Sequence, residues 1–200
     1  MLIELIFATN NPHKIKELQN LLGDKFRLLS LEDIGCYDEI PEKYPTLEKN
    51  ASAKAFYIFH KFRNDCFADD TGLEIEALNG EPGVFSARYA GMEKIFSSRE
   101  ETYKANVQKV LKKLEGVNYR KARFRTVISF IENGKETRFE GIVKGTILKA
   151  KRGTGGFGYD PIFQPDGYKK TFAEMSLNEK NKISHRGIAV KKLVNYLLNR

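Results

Sequence analysis

The chain has no apolar run approaching the roughly 20 residues that a membrane helix needs. Its opening, MLIELIFATNN, carries no basic segment ahead of a short apolar stretch, which argues against a secretory signal peptide. Only two cysteines occur, Cys36 and Cys66, without metal-ligand spacing, so two unpaired thiols in a reducing cytosol are expected. Repeats, low-complexity tracts and linkers are missing. So is any Lys/Arg run with interleaved aromatics, which makes nucleic acid the weaker partner for a chain of net charge +8. One absence is local. From Asn64 to Ala87 there are six acids (Asp65, Asp69, Asp70, Glu74, Glu76 and Glu81) and no Lys or Arg, although the chain has 34 Lys+Arg against 26 Asp+Glu. An acidic island in a basic protein needs water around it or a cation.

What is present is globular: 200 residues, 41% hydrophobic and 12% aromatic, enough for one domain or two small lobes sharing a core. Leu2–Ala8 is almost continuously apolar, the pattern of a strand buried on both faces. Asn11 suits the N-cap of a helix with Pro12 in its first turn, Ile15, Leu18 and Leu22 as its buried stripe, and Gly23 beyond its end. Thr46 can cap a second helix whose apolar face is Ala51, Ala55, Ile58, Phe59 and Phe62. Cys66-Phe67-Ala68 reads as a short buried strand ending at Asp69-Asp70. Leu73, Ile75 and Ala77, alternating with Glu74 and Glu76, read as another strand with one wet face. Ser98 opens a third helix, with Tyr103, Val107, Val110, Leu111 and Leu114 inward and Gly116 after it. Asn133-Gly134 marks a β-hairpin, and a last helix starts near Ser184 and buries Val190, Leu193, Val194 and Leu197. This alternation predicts an α/β protein with a mixed sheet.

Three features suggest chemistry. Two helices carry cations where the dipole favours acids: His13 and Lys14 after Asn11, and His185 and Arg186 after Ser184. A bound anion such as phosphate would compensate; solvated surface charge is the bland alternative. No Walker loop, GxxxxGK followed by Ser or Thr, occurs. Gly153-Thr154-Gly155-Gly156-Phe157-Gly158 matches a dinucleotide fingerprint literally, but Tyr159-Asp160-Pro161 follows, and proline there prevents the helix that should hold a pyrophosphate. A turn, or a loop letting backbone approach a flat ligand with Phe157 or Tyr159 to stack on it, fits better. Asp69 and Asp70 suit a divalent cation such as Mg2+, which binds through one or two carboxylates plus substrate phosphates. Ordinary turn chemistry at Asp-Thr-Gly suits them equally.

Taken together, FATNNPHKIKEL, the PE of EIPEKYPTLEKNASAKA, FADDTGLEIEALNGEPGVFSARYAG and RGTGGFGYDPIFQPDGYKKTFAEMSLNEKNKISHRGIAVKKL resemble the inosine triphosphate pyrophosphatase family, the house-cleaning purine nucleoside triphosphate pyrophosphatases, in order and spacing. The resemblance implies an elongated, two-lobed α/β fold with a long twisted mixed β-sheet flanked by helices, a cleft between the lobes, and a cytoplasmic homodimer. It implies Mg2+-dependent hydrolysis of ITP, dITP and XTP to the monophosphate and pyrophosphate. By position, Thr9, Asn10, Asn11 and Lys14 would hold the triphosphate and Lys54 would reach it from the second helix. Glu42 and Asp70 would serve the metal, Asp70 would also take the proton of the attacking water, and Asp69 would support it. Thr71 would touch substrate, Phe157, Gly158, Tyr159 and Asp160 would form the base pocket, and Lys180, His185 and Arg186 would surround the purine. That moves His185 and Arg186 from phosphate to base. The family's usual ETGxTFEENA is here EKYPTLEKNA: Lys43-Tyr44-Pro45 replaces the turn, while Glu42, Glu48, Asn50 and Lys54 are kept. A non-catalytic nucleotide sensor, a pyrophosphatase for other modified nucleotides and a basic nucleic-acid binder are the rival readings.

Overall fold

A computed structural model of the protein describes residues 3–91 and 96–199; Leu2, assigned above to the first strand, lies outside the described residues. The elements are β1 (Ile3–Phe7), α1 (Pro12–Leu22), β2 (Phe26–Leu29), α2 (Leu47–Phe62), β3 (Cys66–Ile75), β4 (Pro82–Gly83), α3 (Arg99–Lys113), β5 (Lys121–Glu132), β6 (Lys135–Ile147), β7 (Phe163–Pro165), α4 (Leu177–Ile183) and α5 (His185–Leu198). The strands form one open sheet in the order β2-β1-β3-β5-β6-β7, with β4 added on β3. β1 runs parallel to β2 and β3, whereas β4 and β7 pair antiparallel with β3 and β6, so the sheet is mixed. No described helix is long and apolar enough to cross a membrane.

Local chemistry sets the helix starts. Asn11, Thr46, Ser98 and Ser184 each accept a bond from the backbone N–H two or three residues on, a cap worth about 1 kcal/mol each. The β5–β6 connection turns on Asn133 and Gly134, both left-handed at φ 50° and 78°, as a two-residue hairpin requires.

The chain divides into two compact units: Met1–Asp70, Thr126–Gly141 and Asn181–Arg200 in the first, Thr71–Arg125 and Ile142–Lys180 in the second. In the first, β1 is buried on both faces from Leu5 to Phe7, while Glu4 near its start is exposed. Leu5 and Phe7 pack with Leu18 and Leu22 of α1 and Val190, Leu193 and Leu197 of α5. Ile6 and Ala8, on the other face, join Ala55 and Ile58 of α2 together with Leu31 and Cys36. Phe7 stacks on its β3 neighbour Phe67 with ring centroids 4.6 Å apart. Each such large buried side chain contributes about 1.5–3 kcal/mol, which fixes the helices against the sheet. In the second unit, Phe124, Phe163 and Phe172 form an aromatic cluster. Buried Arg120 there donates to the carbonyls of Leu114, Ile147 and Leu148.

Two expectations change. Asp69 and Asp70 do not end a strand: β3 runs through them to Ile75, and Glu76–Leu78 is a single 3-10 turn. Leu73 and Ile75 are fully buried and keep the strand in its pleat. The short α4 ahead of the last helix was not foreseen.

Gly141 of β6 lies against the first turn of α5, where an added Cβ would run into the His185 carbonyl and the Ala189 nitrogen. Gly141→Ala should therefore lower stability in urea unfolding by about 1–3 kcal/mol, the range for overpacking a close contact. An unchanged midpoint would mean that β6 and α5 do not meet at this distance.

Candidate active site

The first group of site residues lies in the first unit. After β1 the chain tightens: the Thr9 hydroxyl accepts from the Asn11 N–H at 3.2 Å, and the Asn11 side chain accepts from the His13 N–H at 3.1 Å. Pro12 follows as the first helical residue, and the turn delivers Lys14 from the opening of α1.

Successive side chains of a strand point to opposite faces, and the two aspartates of β3 have different partners accordingly. Asp69 meets α1 and α5. Its Oδ1 lies 2.6 Å from Lys14 Nζ and its Oδ2 3.2 Å from Arg186 Nε. Arg186, only 2% exposed, also binds Glu17 Oε2 at 2.5 Å through Nη1. Asp70 meets α2. Its Oδ1 lies 3.5 Å from Lys54 Nζ, which is itself 2.5 Å from Glu42 Oε1.

The partners decide the protonation. Burial alone would raise the Asp69 pKa, but Lys14, Arg186 and Lys54 outweigh it and hold the carboxyl well below the usual range. For Asp70 burial wins: Lys54 opposes it, Glu42 reinforces it, and the pKa is pushed up to about 6. Lys54 stays protonated, because Asp70, Glu42 and Asp69 together overcome its desolvation. One strand step thus separates a permanently charged carboxylate from one poised to exchange a proton near neutrality.

Asp70 Oδ2 is buried and accepts no hydrogen bond, so a lone pair is available inside the site. With Glu42 it makes a two-carboxylate set of hard oxygen donors. No group of three or more His, Cys, Asp or Glu able to hold a metal is found among the described residues. This set fits a hard cation that keeps most of its waters and shares phosphate oxygens, and not a fully protein-ligated ion.

The second group lies in the second unit. Asp160 Oδ2 takes both Lys180 Nζ at 2.6 Å and the Phe157 N–H at 2.8 Å, with both side chains of the ion pair buried. The Lys180 ammonium sits 5.0 Å from the Phe157 ring centroid and 5.5 Å from that of Phe172. Gly156, at φ 68°, leaves room for Asp160 where a Cβ would collide with its carboxylate. The glycine run leads into one 3-10 turn, Asp160–Ile162, and β7, so the dinucleotide fingerprint lacks its helix. Of the two stacking aromatics, Tyr159 is buried and donates its hydroxyl to the Ser86 carbonyl at 3.0 Å, while Phe157 keeps an exposed part. Gly158 has a positive φ of 62°, and Thr71 follows Asp70 in β3.

Three outcomes differ from the sequence reading. The cations Lys14 and Arg186 at the helix starts are compensated by Asp69 and Glu17 of the chain itself. His185, for which solvated surface charge was one alternative, is 3% exposed. Glu17 was missed; its signal was an acid directly beside Leu18 on the buried side of α1.

A protein-family model described as the Ham1 family matches residues 5–196. A dITP/XTP pyrophosphatase of Flavobacterium psychrophilum is 51% identical over 197 residues, 98% of this chain and 100% of that one. One of Thermoanaerobacter pseudethanolicus is 47% identical over 201 residues, 99% of this chain and 98% of that one. Among solved structures, a HAM1 protein from Coxiella burnetii matches at TM-score 0.86 and 36% identity over 100% of both chains. The Staphylococcus aureus Ham1 protein matches at TM-score 0.84 and 36% identity over 97% of both. A match that runs from β1 into α5 takes in the turn after β1, both aspartates and the Arg186 helix alike, and the chain belongs to the Ham1 family.

Proposed function

We propose that this chain hydrolyses ITP, dITP and XTP to the nucleoside monophosphate and pyrophosphate, with water attacking the α-phosphorus. The reaction class rests on the family: its curated relatives are dITP/XTP pyrophosphatases, and the chain is a nucleoside triphosphate pyrophosphatase. The observation that carries the mechanism is Asp70, a buried carboxylate with one oxygen unpartnered and its pKa pushed up to about 6. Asp70 takes a proton from water while the water oxygen bonds to the α-phosphorus. The bond from that phosphorus to the bridging oxygen breaks, and pyrophosphate leaves with the electron pair.

Thr9, Asn10, Asn11 and Lys14 receive the triphosphate at the start of α1, where the helix dipole favours anions. Asp69 stays ionised and keeps Lys14 placed. Lys54 follows the phosphates from α2. Glu42 and Asp70 would hold Mg2+, which when bound neutralises phosphate charge and acidifies water. Phe157, Gly158, Tyr159, Asp160 and Lys180 are the base-side residues of the second unit in this reading, and His185 and Arg186 keep the purine-side role that the family resemblance implies. Donors converging on a 6-oxygen favour hypoxanthine and xanthine over adenine. The buried free thiols of Cys36 and Cys66 support a reducing, cytosolic setting, and the family resemblance supports a homodimer.

Incubation with dITP, XTP, dGTP and dATP, followed by product separation, tests the activity. Monophosphate and pyrophosphate from dITP and XTP are expected, lost with chelator and reduced at least ~100-fold in Asp70→Asn, since a positioned base contributes 10²–10⁴-fold. Single phosphate as product would move the attack off the α-phosphorus, and tight binding without turnover would leave a sensor.

Asp70 also predicts a pH-dependent stability difference in the metal-free protein. Its pKa rises from 3.8 unfolded to about 6 folded, so its protonated form stabilises the fold at low pH and that contribution is lost as pH rises through 6. With chelator present, Asp70→Asn should melt above wild type at pH 8, by up to about 3 kcal/mol for a shift of about two units. The gap should narrow to about half by pH 5 and close only below about pH 4, the unfolded value. An equal gap across that range would place the penalty elsewhere than on the Asp70 charge.

A further inference from the structure

Asn50 is fully buried in the first turn of α2, between Leu47 and Ala51, which are buried as well. A buried amide is costly unless both of its ends are bonded. Here both ends go to one residue. Tyr44 N–H donates to Asn50 Oδ1 at 2.9 Å, and Asn50 Nδ2 donates to the Tyr44 carbonyl at 3.1 Å. This is the two-bond exchange that a strand residue makes with a ladder partner, carried out by a side chain. Pro45 assists, since a residue before proline is driven to extended backbone, which turns its N–H and C=O to the same side. The Tyr44 side chain itself is 47% exposed. The loop is therefore gripped by its backbone, and the identity of residue 44 is not what holds it.

The grip falls where no regular structure is available. Residues 36–46 contain neither helix nor strand, and Glu42 lies two positions before Tyr44. One helical turn after Asn50, on the same side of α2, Lys54 takes Glu42 Oε1 at 2.5 Å. One face of α2 thus fixes the backbone of the loop at 44 and its carboxylate at 42. We propose that Asn50 is a positioning residue for the divalent-cation site: its amide clamp on Tyr44 sets the reach of Glu42 toward Asp70. The clamp takes over the task of a turn that the Lys43-Tyr44-Pro45 segment does not form for itself. The proposal rests on the Glu42–Asp70 cation site of the function proposed above.

The test is direct Mn2+ binding to the full-length protein, read by the electron paramagnetic resonance of free Mn2+, with thermal melting alongside. Asn50→Ala should weaken Mn2+ by ~10-fold, the lower range for a residue that orients a ligand. Tyr44→Pro, which removes one clamp donor at an exposed position and leaves the core intact, should also weaken it. Tyr44→Ala, which keeps both backbone bonds, should bind like wild type. In Asn50→Ala combined with Glu42→Gln the two losses should fail to add, because the first acts through the second. A lower melting temperature with Mn2+ affinity unchanged within twofold in both Asn50→Ala and Tyr44→Pro would reduce Asn50 to a packing role and overturn the proposal. Additive losses in the double variant would overturn it too. If wild type binds no Mn2+ that Asp70→Asn abolishes, the cation site itself fails, a result distinct from the other two.

Discussion

The pleat of β3 at Asp69 and Asp70 is the constraint from which the site follows. Two carboxylates side by side in a sequence would repel and share whatever cation came near. Because a strand sends neighbours to opposite faces, one is delivered to α1 and α5 and the other to α2. The first finds Lys14 and Arg186 and is neutralised outright. The second finds one ammonium already claimed by Glu42. Identical chemistry and nearly identical burial thus give one carboxylate held well below the usual range and another pushed up to about 6. The difference lies in the number of cations each face supplies.

The same division explains why the hydrophobic core and the site cannot be separated. The apolar neighbours of β1 sort into the cluster of α1 and α5 and the cluster of α2, and the aspartates of β3 sort into the same two sets. Each helix is held to the sheet by buried aliphatic and aromatic side chains, and each then offers a cation from that side. Arg186 is affordable in so dry a place because Glu17 and Asp69 both bond it; removal of either acid would leave an uncompensated buried charge.

Much of this was legible in the sequence where the physics is short-range. Asn11, Thr46, Ser98 and Ser184 announce helix starts because a cap needs only a hydroxyl or amide and an N–H two or three residues away. Asn133-Gly134 announces a hairpin for the same local reason. The partners of the site residues are set by longer separations: 55 residues from Lys14 to Asp69, 117 from Asp69 to Arg186 and 169 from Glu17 to Arg186. Composition cannot disclose those. The misplaced helix-start cations were a true signal of a nearby negative charge, and for Lys14 and Arg186 carboxylates of the same chain provide it. The strand reads as ending at the aspartates because Asp-Thr-Gly is ordinary turn chemistry; the burial of Leu73 and Ile75 overrides that preference.

The ion pair between Glu17 and Arg186 has one more meaning when the chain is followed in its order of synthesis. Every acid of the first site lies within the first seventy residues, yet the guanidinium that joins Glu17 to Asp69 belongs to the last helix. Until that helix arrives, the nascent amino-terminal segment holds Glu17 and Asp69 without the Arg186 guanidinium that joins them. The site is a seam that only the final helix sews shut, so an amino-terminal fragment, however complete its list of carboxylates, lacks the charge balance of the whole.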